Sequence, residues 1–481
     1  MKITAIGHAA ILVETAGITM LSDPWWRGPC FGSQWWIYPP PALGAVDGAQ
    51  IDYIYISHGH HDHYHPGTLA TLPKTAKILV SKEIKLASSI RELGFEVIEI
   101  SSNEEVVLGD SAVKCRIIQT HGDDTLMALS DGLEVCLNLN DALHSASRSV
   151  QDVFVTRLKN LYPKIDYVFC GYGTASHFPN CYLIPEKAPA ATATRRQRHF
   201  NSQWSRLIAE LNPRFGFPFA ADVAFFDNAL LWMNEPTHNS ARPTDAFRAA
   251  YPASAVKTAD IAPGFVIDSG EIISDVRRQP LVDANLRSEC ADQIARANRL
   301  GAVEPAAIDE SVQLLERNLA IARGYLAECE QDYRFLISFR NSVAGIAVEK
   351  RSGAITIARI DDAAADHDGY DVVYDTRLPY LKWALSRPFG DEILFVGSGG
   401  VFAYRSRADA ERNLHRELVA LLKACKVAPQ SRYGSDAKWL FEGKQVIKSL
   451  IGKTPEDLYD LKTWTVFGAE PARSIAAPSS Y

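Results

Sequence analysis

The chain has 481 residues, of which 47% are hydrophobic and 22% charged, with a formal net charge of -7 at pH 7. This length predicts two or three domains, and the composition is that of a globular protein. The acidic balance argues against nucleic acid as the main partner. No apolar run approaches the roughly 20 residues that cross a bilayer, so no transmembrane segment is expected.

The cellular setting follows from the first residues and from the cysteines. The opening apolar stretch is too short for a signal peptide. Eight cysteines are scattered without a C-x-x-C pair, and several lie in apolar runs, which favours reduced, buried thiols. We therefore expect a cytoplasmic protein.

Residues 1–275 alternate short apolar runs with helical patterns, and the first runs look like hairpins rather than strand–helix–strand units. The fold class predicted is α/β in the wide sense (α+β), with a mixed-sheet sandwich in this part. The predicted strands are 2–6, 10–14, 19–22, 53–57, 77–80, 96–100, 115–119, 134–139 and 167–171. The predicted helices are 82–93, 150–160 and 195–211.

Beyond this part, residues 276–332 are predicted to form a helical connector, and residues 333–481 a smaller α+β module. The connector carries apolar residues at steps of four and three, from Ile308 to Leu326. Such a stripe is usually a packed core face, and it is also our best candidate for a subunit contact in a homodimer. The module is predicted to contain strands at 335–339, 344–348, 354–360, 370–374, 393–396 and 401–404, and helices at 376–386, 408–424 and 436–451.

Segment 58–63 reads His-Gly-His-His-Asp-His and directly follows the apolar run 51–57. Zinc, iron and manganese all bind such nitrogen and oxygen donors. Alternate residues of an extended segment point the same way, so His58 and His60 can hold one ion. Asp62 and His63 come from the following turn and can face a second ion, as in two-metal catalysis. The alternative is a surface histidine cluster, and the position at a strand end argues against it.

Two later residues fit the same site. His121 follows predicted strand 115–119 and Asp141 follows predicted strand 134–139. If these strands pair, both side chains leave one sheet edge. Plainer roles are a loop cap for His121 and a helix N-cap for Asp141. The sequence thus predicts two divalent ions (Zn, Fe or Mn) with Asp62 and Asp141 catalytic, and with the ligands His58, His60, Asp62, His63, His121 and Asp141.

This order of ligands resembles the metallo-β-lactamase superfamily, which implies an αββα sandwich with two metal positions at one edge. Five further segments resemble the hydrolase-fold part of CMP-N-acetylneuraminate hydroxylase-like proteins: 29–36, 55–58, 173–179, 218–220 and 262–264. That resemblance covers roughly residues 1–275. Members of that family carry a Rieske iron–sulfur domain, which is expected to be absent here because no Cys-x-His…Cys-x-x-His spacing occurs. Sialic-acid hydroxylation is therefore not carried over.

The last metal ligand departs from the superfamily pattern. Most relatives place a final histidine after a late strand, whereas segment 214–222 contains none. The candidates to replace it are His177, Asp222 and Asp227. A carboxylate in that place would favour iron or manganese over zinc.

Other residues are expected to support the site. Asp23 is predicted to hold the ligands through hydrogen bonds. His177, Trp35 and Trp36 are candidate substrate-binding residues, and for the tryptophans an equal alternative is that they fasten a long loop to the body. The C-terminal module faintly resembles sterol-carrier-like domains, and a packing or dimerisation domain is the alternative.

The predicted function is a dinuclear metal enzyme in which metal-activated water hydrolyses an ester, lactone, amide or phosphoester of a small molecule. An alternative is a diiron monooxygenase that hydroxylates or N-oxygenates a small molecule. A second alternative is a metal-binding scaffold without catalysis.

Overall fold

In the computed structural model, residues 1–427 are described except 103, 121–123, 174–177, 240–241, 328–330, 364–366, 388–389 and 412–414. The strands in chain order are β1 (Lys2–Gly7), β2 (Ala10–Thr15), β3 (Ile18–Ser22), β4 (Trp35–Ile37), β5 (Tyr53–Tyr55), β6 (Lys77–Ser81), β7 (Val97–Ile100), β8 (Val106–Val107), β9 (Lys114–Gln119), β10 (Thr125–Ser130), β11 (Val135–Asn140), β12 (Tyr167–Gly171), β13 (Tyr182–Leu183), β14 (Phe215–Phe219), β15 (Val223–Phe225), β16 (Lys257–Thr258), β17 (Val266–Asp268), β18 (Glu271–Ser274), β19 (Tyr333–Phe339), β20 (Gly345–Arg351), β21 (Ala354–Ile360), β22 (Val372–Thr376) and β23 (Gly400–Tyr404). The helices are α1 (Pro66–Leu69), α2 (Ala87–Glu92), α3 (Arg148–Leu161), α4 (Pro189–Leu211), α5 (Asn234–Asn239), α6 (Pro243–Ala250), α7 (Asp283–Glu289), α8 (Ala291–Ala297), α9 (Pro305–Ala327), α10 (Leu378–Ser386), α11 (Glu392–Phe395), α12 (Arg407–Glu411) and α13 (His415–Val427).

The described chain forms two compact units. Unit 1 comprises Met1–Thr174, Thr194–Phe225 and Asn234–Glu289, and unit 2 comprises Ala175–Ala193, Phe226–Met233 and Cys290–Tyr481. The predicted connector 276–332 is not a separate body. Its helix α7 belongs to unit 1, while α8 and α9 belong to unit 2.

Unit 1 is built on two large mixed sheets. The first has the strand order β18-β17-β1-β2-β3-β5-β6-β7, and the second β16-β14-β12-β11-β10-β9-β8. The predicted hairpins are present, because β1, β2 and β3 pair antiparallel, whereas β3, β5, β6 and β7 run parallel. In the second sheet β11, β12 and β14 are parallel.

The two sheets of unit 1 share one apolar core, and helices cover their outer faces. Side-chain alternation explains this arrangement: in β5, Tyr53 and Tyr55 face the second sheet, while Ile54 faces the helical layer. On the outer face of the second sheet, Leu158 of α3 and Leu207 of α4 join the buried cluster. The αββα sandwich implied by the resemblance is confirmed.

Unit 2 contains a six-stranded sheet in the order β13-β23-β22-β19-β20-β21. Helix α9 packs against α10, α13 and the sheet. Its apolar stripe is buried, with Ile308 and Leu326 each 1% exposed and Leu315 fully buried. The stripe is therefore a core face of unit 2, and the expectation that it forms a subunit contact is wrong.

The predicted and observed elements differ at several places, including α11 and β10. Residues 393–396, predicted as a strand, lie at α11, because a run of four apolar residues does not distinguish a strand from a helical turn. Strand β10 was not predicted, and it pairs with both β9 and β11. The strands that precede His121 and Asp141 are therefore separated by β10 and do not pair directly. The predicted helix 436–451 lies outside the described residues.

The six described cysteines whose side chains can be assessed are free and buried. Within the described part of the chain, no helix is both long and apolar enough to cross a membrane.

Candidate metal centre

The histidine-rich segment leaves β5 and turns back on itself. Ile56 continues the strand pairing by donating its backbone N–H to Leu79 O at 3.1 Å. The N–H groups of His63 and Tyr64 then both bond His60 O, at 3.0 and 2.8 Å. This tight turn brings His63 back toward the end of β5, so that His58 and His63, five residues apart in sequence, lie close together.

Asp23 fixes that turn from the end of β3. It is fully buried and accepts hydrogen bonds from Ser57 N at 2.8 Å and Ser57 Oγ at 2.7 Å. Its Oδ2 also lies 3.0 Å from His63 Nδ1. A carboxylate only accepts, so His63 Nδ1 carries a hydrogen, and Nε2, on the other side of the ring, faces away from Asp23 and can offer its lone pair to a metal ion in place of a proton. This orientation is typical of a metal-binding histidine.

The structure brings five of the six predicted ligands together. His63 Nε2 lies 3.4 Å from Asp62 Oδ2 and 3.5 Å from Asp141 Oδ2. His58 Nε2 lies 2.9 Å from His60 Nδ1, and atoms of His58, His63 and Asp141 all fall within 4.8 Å of one another. Asp141, at the end of β11, thus lies close to both His58 and His63. The sixth predicted ligand, His121, lies outside the described residues.

His8 is a site residue that the sequence reasoning missed as a candidate ligand. It sits in the turn between β1 and β2 with φ of 50°, and its Nε2 lies 3.0 Å from Asp62 Oδ2. His8, Asp62 and His63 form a second group whose donor atoms lie within 4.8 Å of one another. No sequence signal pointed to it, because a lone histidine in a turn carries no ligand spacing of its own.

Charges within the cluster shift its pKa values. Burial alone would raise the pKa of Asp62, but the His63 and His8 imidazoles outweigh burial and hold it well below its usual range. Burial would lower the pKa of His63, but the Asp62, Asp141 and Asp23 carboxylates raise it well above its usual value. The pKa of His58 lies well below its usual value because of burial and of the neighbouring His63 and His60. The protein thus concentrates opposite charges around His63.

The candidate replacements for the last ligand are engaged elsewhere or not described. Asp222 is ion-paired with Arg278 and accepts from His8 N at 3.0 Å. Asp227 pairs with Arg340 at 2.5 Å and Arg377 at 2.9 Å in unit 2. Carboxylates already neutralised by arginine are poor ligands for a further cation, so neither is a favourable replacement for the missing histidine. His177 lies outside the described residues.

The two candidate substrate-binding tryptophans are buried instead. Trp35 is 3% and Trp36 6% exposed. Trp35 packs edge-on against Phe31 with ring centroids 5.0 Å apart, and β4 pairs with β15. Trp36 Nε1 donates to Ser33 O at 2.9 Å. Both side chains therefore fasten the loop to the body, the alternative raised from the sequence, and do not form a substrate wall.

The donor set fits divalent metal ions. His8 Nδ1, Asp62 Oδ1 and His63 Nε2 are buried and have no hydrogen-bond partner among the described residues. Buried polar atoms normally find partners, so several such atoms at one point indicate a bound group. Imidazole nitrogens and carboxylate oxygens together suit zinc, iron or manganese.

Comparison with known proteins places this centre in a family context. Residues 2–126 match the sequence profile described as "Beta-lactamase superfamily domain". The predicted resemblance to that superfamily is thereby confirmed, and the described ligand cluster from His8 to His63 lies within the matched residues.

The curated relatives share about a quarter of the aligned residues with this chain and are longer than it. A Mycolicibacterium smegmatis protein named as a Rieske 2Fe-2S iron-sulfur protein is 25% identical over 248 residues, covering 49% of this chain and 46% of the relative. Cytidine monophosphate-N-acetylneuraminic acid hydroxylase of Gorilla gorilla gorilla is 26% identical over 287 residues, covering 57% and 46%. The chain therefore spans about half the length of the curated relatives it matches.

Solved structures also align with the chain at low identity. One is the metallo hydrolase Igni18 from Ignicoccus hospitalis KIN4/I, with 16% identity, a TM-score of 0.39, and coverage of 55% of this chain and 97% of that one. Another is CmlA, a diiron beta-hydroxylase from Streptomyces venezuelae, with 17% identity, a TM-score of 0.38, and coverage of 55% and 53%.

Proposed function

We propose that unit 1 is a dinuclear metal-dependent hydrolase acting on an ester, lactone, amide or phosphoester of a small molecule. One observation carries the proposal: the buried Nε2 of His63 lies between the carboxylates of Asp62 and Asp141, with the paired His58 and His60 beside it. His58 and His60, with His121 as the predicted third ligand, would hold one ion. Asp62, His63 and Asp141 would hold the other.

When bound, a divalent ion lowers the pKa of its water to about 7 and polarises the oxygen of the scissile bond. The residues of the chain orient these partners. Asp23 keeps the Nε2 lone pair of His63 turned toward the site. His8 Nε2 lies within hydrogen-bonding distance of Asp62 Oδ2 and would hold this carboxylate in place, so that the buried Oδ1, which has no partner among the described residues, would face the ion.

Metal analysis and turnover test the proposal. Protein purified without added metal should retain about two equivalents, and removal by a chelator should abolish turnover on a panel of esters, lactones, amides and phosphoesters. Asp62→Ala should lose occupancy at one position and all turnover. His61→Ala is the matched control, because His61 lies in the same turn but stacks on Phe31 with ring centroids 5.5 Å apart. Full activity of Asp62→Ala would contradict the assigned roles.

A second candidate function is oxidation by a diiron centre. It is supported by the two carboxylates beside His63, since oxygen-rich sites favour iron or manganese, and by the hydroxylase named among the relatives. Activity that requires iron and dioxygen would establish it in place of hydrolysis. Turnover by the zinc-loaded protein under anaerobic conditions would exclude it. Tight metal retention without turnover under either condition would instead support a non-catalytic metal-binding scaffold.

A further inference from the structure

His144 is a buried histidine beside the proposed centre that neither the sequence motif nor the ligand groups include. It lies in the turn after β11, three residues beyond Asp141, and is 5% exposed. Its Nε2 lies 3.0 Å from Gly173 O. A carbonyl oxygen only accepts, so Nε2 donates, and Nδ1 carries a lone pair.

That lone pair has no described partner. Nδ1 of His144 is buried and makes no hydrogen bond among the residues that the structure describes. Leaving a buried acceptor unsatisfied is costly, so such atoms usually have a bound group. Metal-binding histidines characteristically donate their other ring N–H to a carbonyl or carboxylate, as His144 does to Gly173 O.

Nδ1 of His144 and Oδ1 of Asp141 both lie close to one point beside the backbone of Gly171. A Cβ built on Gly171 would stand 3.1 Å from His144 Nδ1 and 3.0 Å from Asp141 Oδ1. These two ligand atoms are therefore at most 6.1 Å apart, the sum of the two distances. A side chain at position 171 would press against both atoms, so glycine allows them to face each other. Asp141 thus presents Oδ2 to His63 and Oδ1 to the space shared with His144.

From this geometry we infer that His144 is a nitrogen ligand for one of the metal ions, binding through Nδ1 beside Asp141. This inference rests on the proposed function. It would supply the additional ligand for which Asp222 and Asp227 are unsuitable. Because metal–ligand bonds measure about 2.0–2.2 Å, Nδ1 and Oδ1 would share one ion if they approach to within about 4 Å of each other.

Two substitutions separate a ligand role from a packing role. His144→Gln places an amide N–H near the position of Nε2 and keeps the bond to Gly173 O, but removes the donor at Nδ1. His144→Asn keeps an oxygen near the position of Nδ1 and loses the bond to Gly173 O. Zinc affinity of the full chain is measured by competition with a chromophoric chelator, and stoichiometry by elemental analysis.

The inference predicts that His144→Gln lowers the affinity for one of the two zinc ions by about 100-fold or more. Replacing a residue that only hydrogen-bonds to a ligand typically lowers metal affinity by 10–100-fold. His144→Asn should lose less. The opposite order, or unchanged binding in His144→Gln, overturns the inference and leaves the proposed function standing. Wild-type protein that binds no zinc overturns both.

A measurement on wild-type protein covers the case in which a variant fails to fold. With histidines labelled with ¹⁵N, the Nδ1 resonance of His144 should begin as that of an unprotonated nitrogen and shift as zinc is added up to stoichiometry. A resonance that stays unchanged through saturation would show that His144 is not a ligand.

Discussion

Asp23→Asn offers the most direct test of how the centre is organised. The carboxylate of Asp23 accepts from Ser57 N, Ser57 Oγ and His63 Nδ1 at 2.7–3.0 Å. Asparagine has nearly the same shape and tolerates the positive φ of 36° at this position. Its amide group, however, would direct N–H groups toward His63 Nδ1. The hydrogen of His63 then moves to Nε2, where it blocks the lone pair that faces Asp62 and Asp141.

Substitution of Asp23 is expected to change both the metal affinity and the unfolding free energy. Altering the hydrogen-bond partner of a ligating histidine typically costs 10–100-fold in metal affinity, or about 1.4–2.7 kcal/mol. Asp23→Ala removes the acceptor from three buried donors at once, each worth about 1–3 kcal/mol. The metal-free alanine variant should therefore lose ~3 kcal/mol or more of unfolding free energy, and the asparagine variant clearly less.

Chelator competition at constant pH measures the affinity, and urea unfolding of the metal-free protein measures the stability. Asp52→Asn is the matched control, because Asp52 also accepts a backbone hydrogen bond, from Thr19 N at 2.9 Å, outside the cluster. The control should bind metal as the wild type does. Wild-type affinity in Asp23→Asn would refute the argument that Asp23 sets the tautomer of His63.

Three further predictions concern positions around the centre and in unit 2. His8→Ala should weaken metal binding by about tenfold or more by removing the group beside Asp62 Oδ2, and His8→Gln should restore part of the loss in the same competition assay. Gly171→Ala should lower the unfolding free energy in urea by about 1–3 kcal/mol, because the new Cβ would lie 2.7 Å from Asn140 O; an unchanged midpoint would contradict this close approach. Asp227→Asn should cost about 3–5 kcal/mol by leaving two arginines without their carboxylate, while metal content measured by elemental analysis stays the same. Burial alone would raise the pKa of Asp227, but Arg340 and Arg377 outweigh burial and hold the pKa below its usual value. The stabilisation is therefore present at neutral pH and is lost as the pH falls through the folded-state pKa of Asp227. Urea midpoints of the wild type and of Asp227→Asn that do not converge at low pH would argue against this reasoning.

The sequence predicted the parts of the fold that depend on local pattern. Strands β1, β2 and β12 were predictable because each is a short apolar run that contains a β-branched residue, and the hairpins near the N-terminus because turn residues separate the runs. The pairing of β9 with β10 could not be read in this way, because residues 126–129 are Leu, Met, Ala and Leu, which are good helix formers without a β-branched residue. The division into two units could not be predicted from sequence patterns either, because it depends on tertiary contacts such as the packing of α9 in unit 2.

In the candidate site, too, the residues with a local sequence pattern were predictable and the others were not. His58, His60, Asp62 and His63 were predictable because four ligands occur within one turn. His8 and His144 were not, since each is a lone histidine in its own turn and becomes notable only when Asp62 or Gly171 lies next to it. The burial of Trp35 likewise follows from the pairing of β4 with β15, strands almost 200 residues apart in sequence.

The way the chain passes between the two units limits how the protein can be dissected. Segments 175–193 and 226–233 leave the first unit and return to it, so no single cut yields both units intact. Expressing residues 1–275 alone would also discard Arg278, the guanidinium that pairs with Asp222 and bonds Tyr172 Oη at 3.1 Å. Attempts to study the metal chemistry on a fragment that ends at residue 275 would therefore begin with a damaged scaffold.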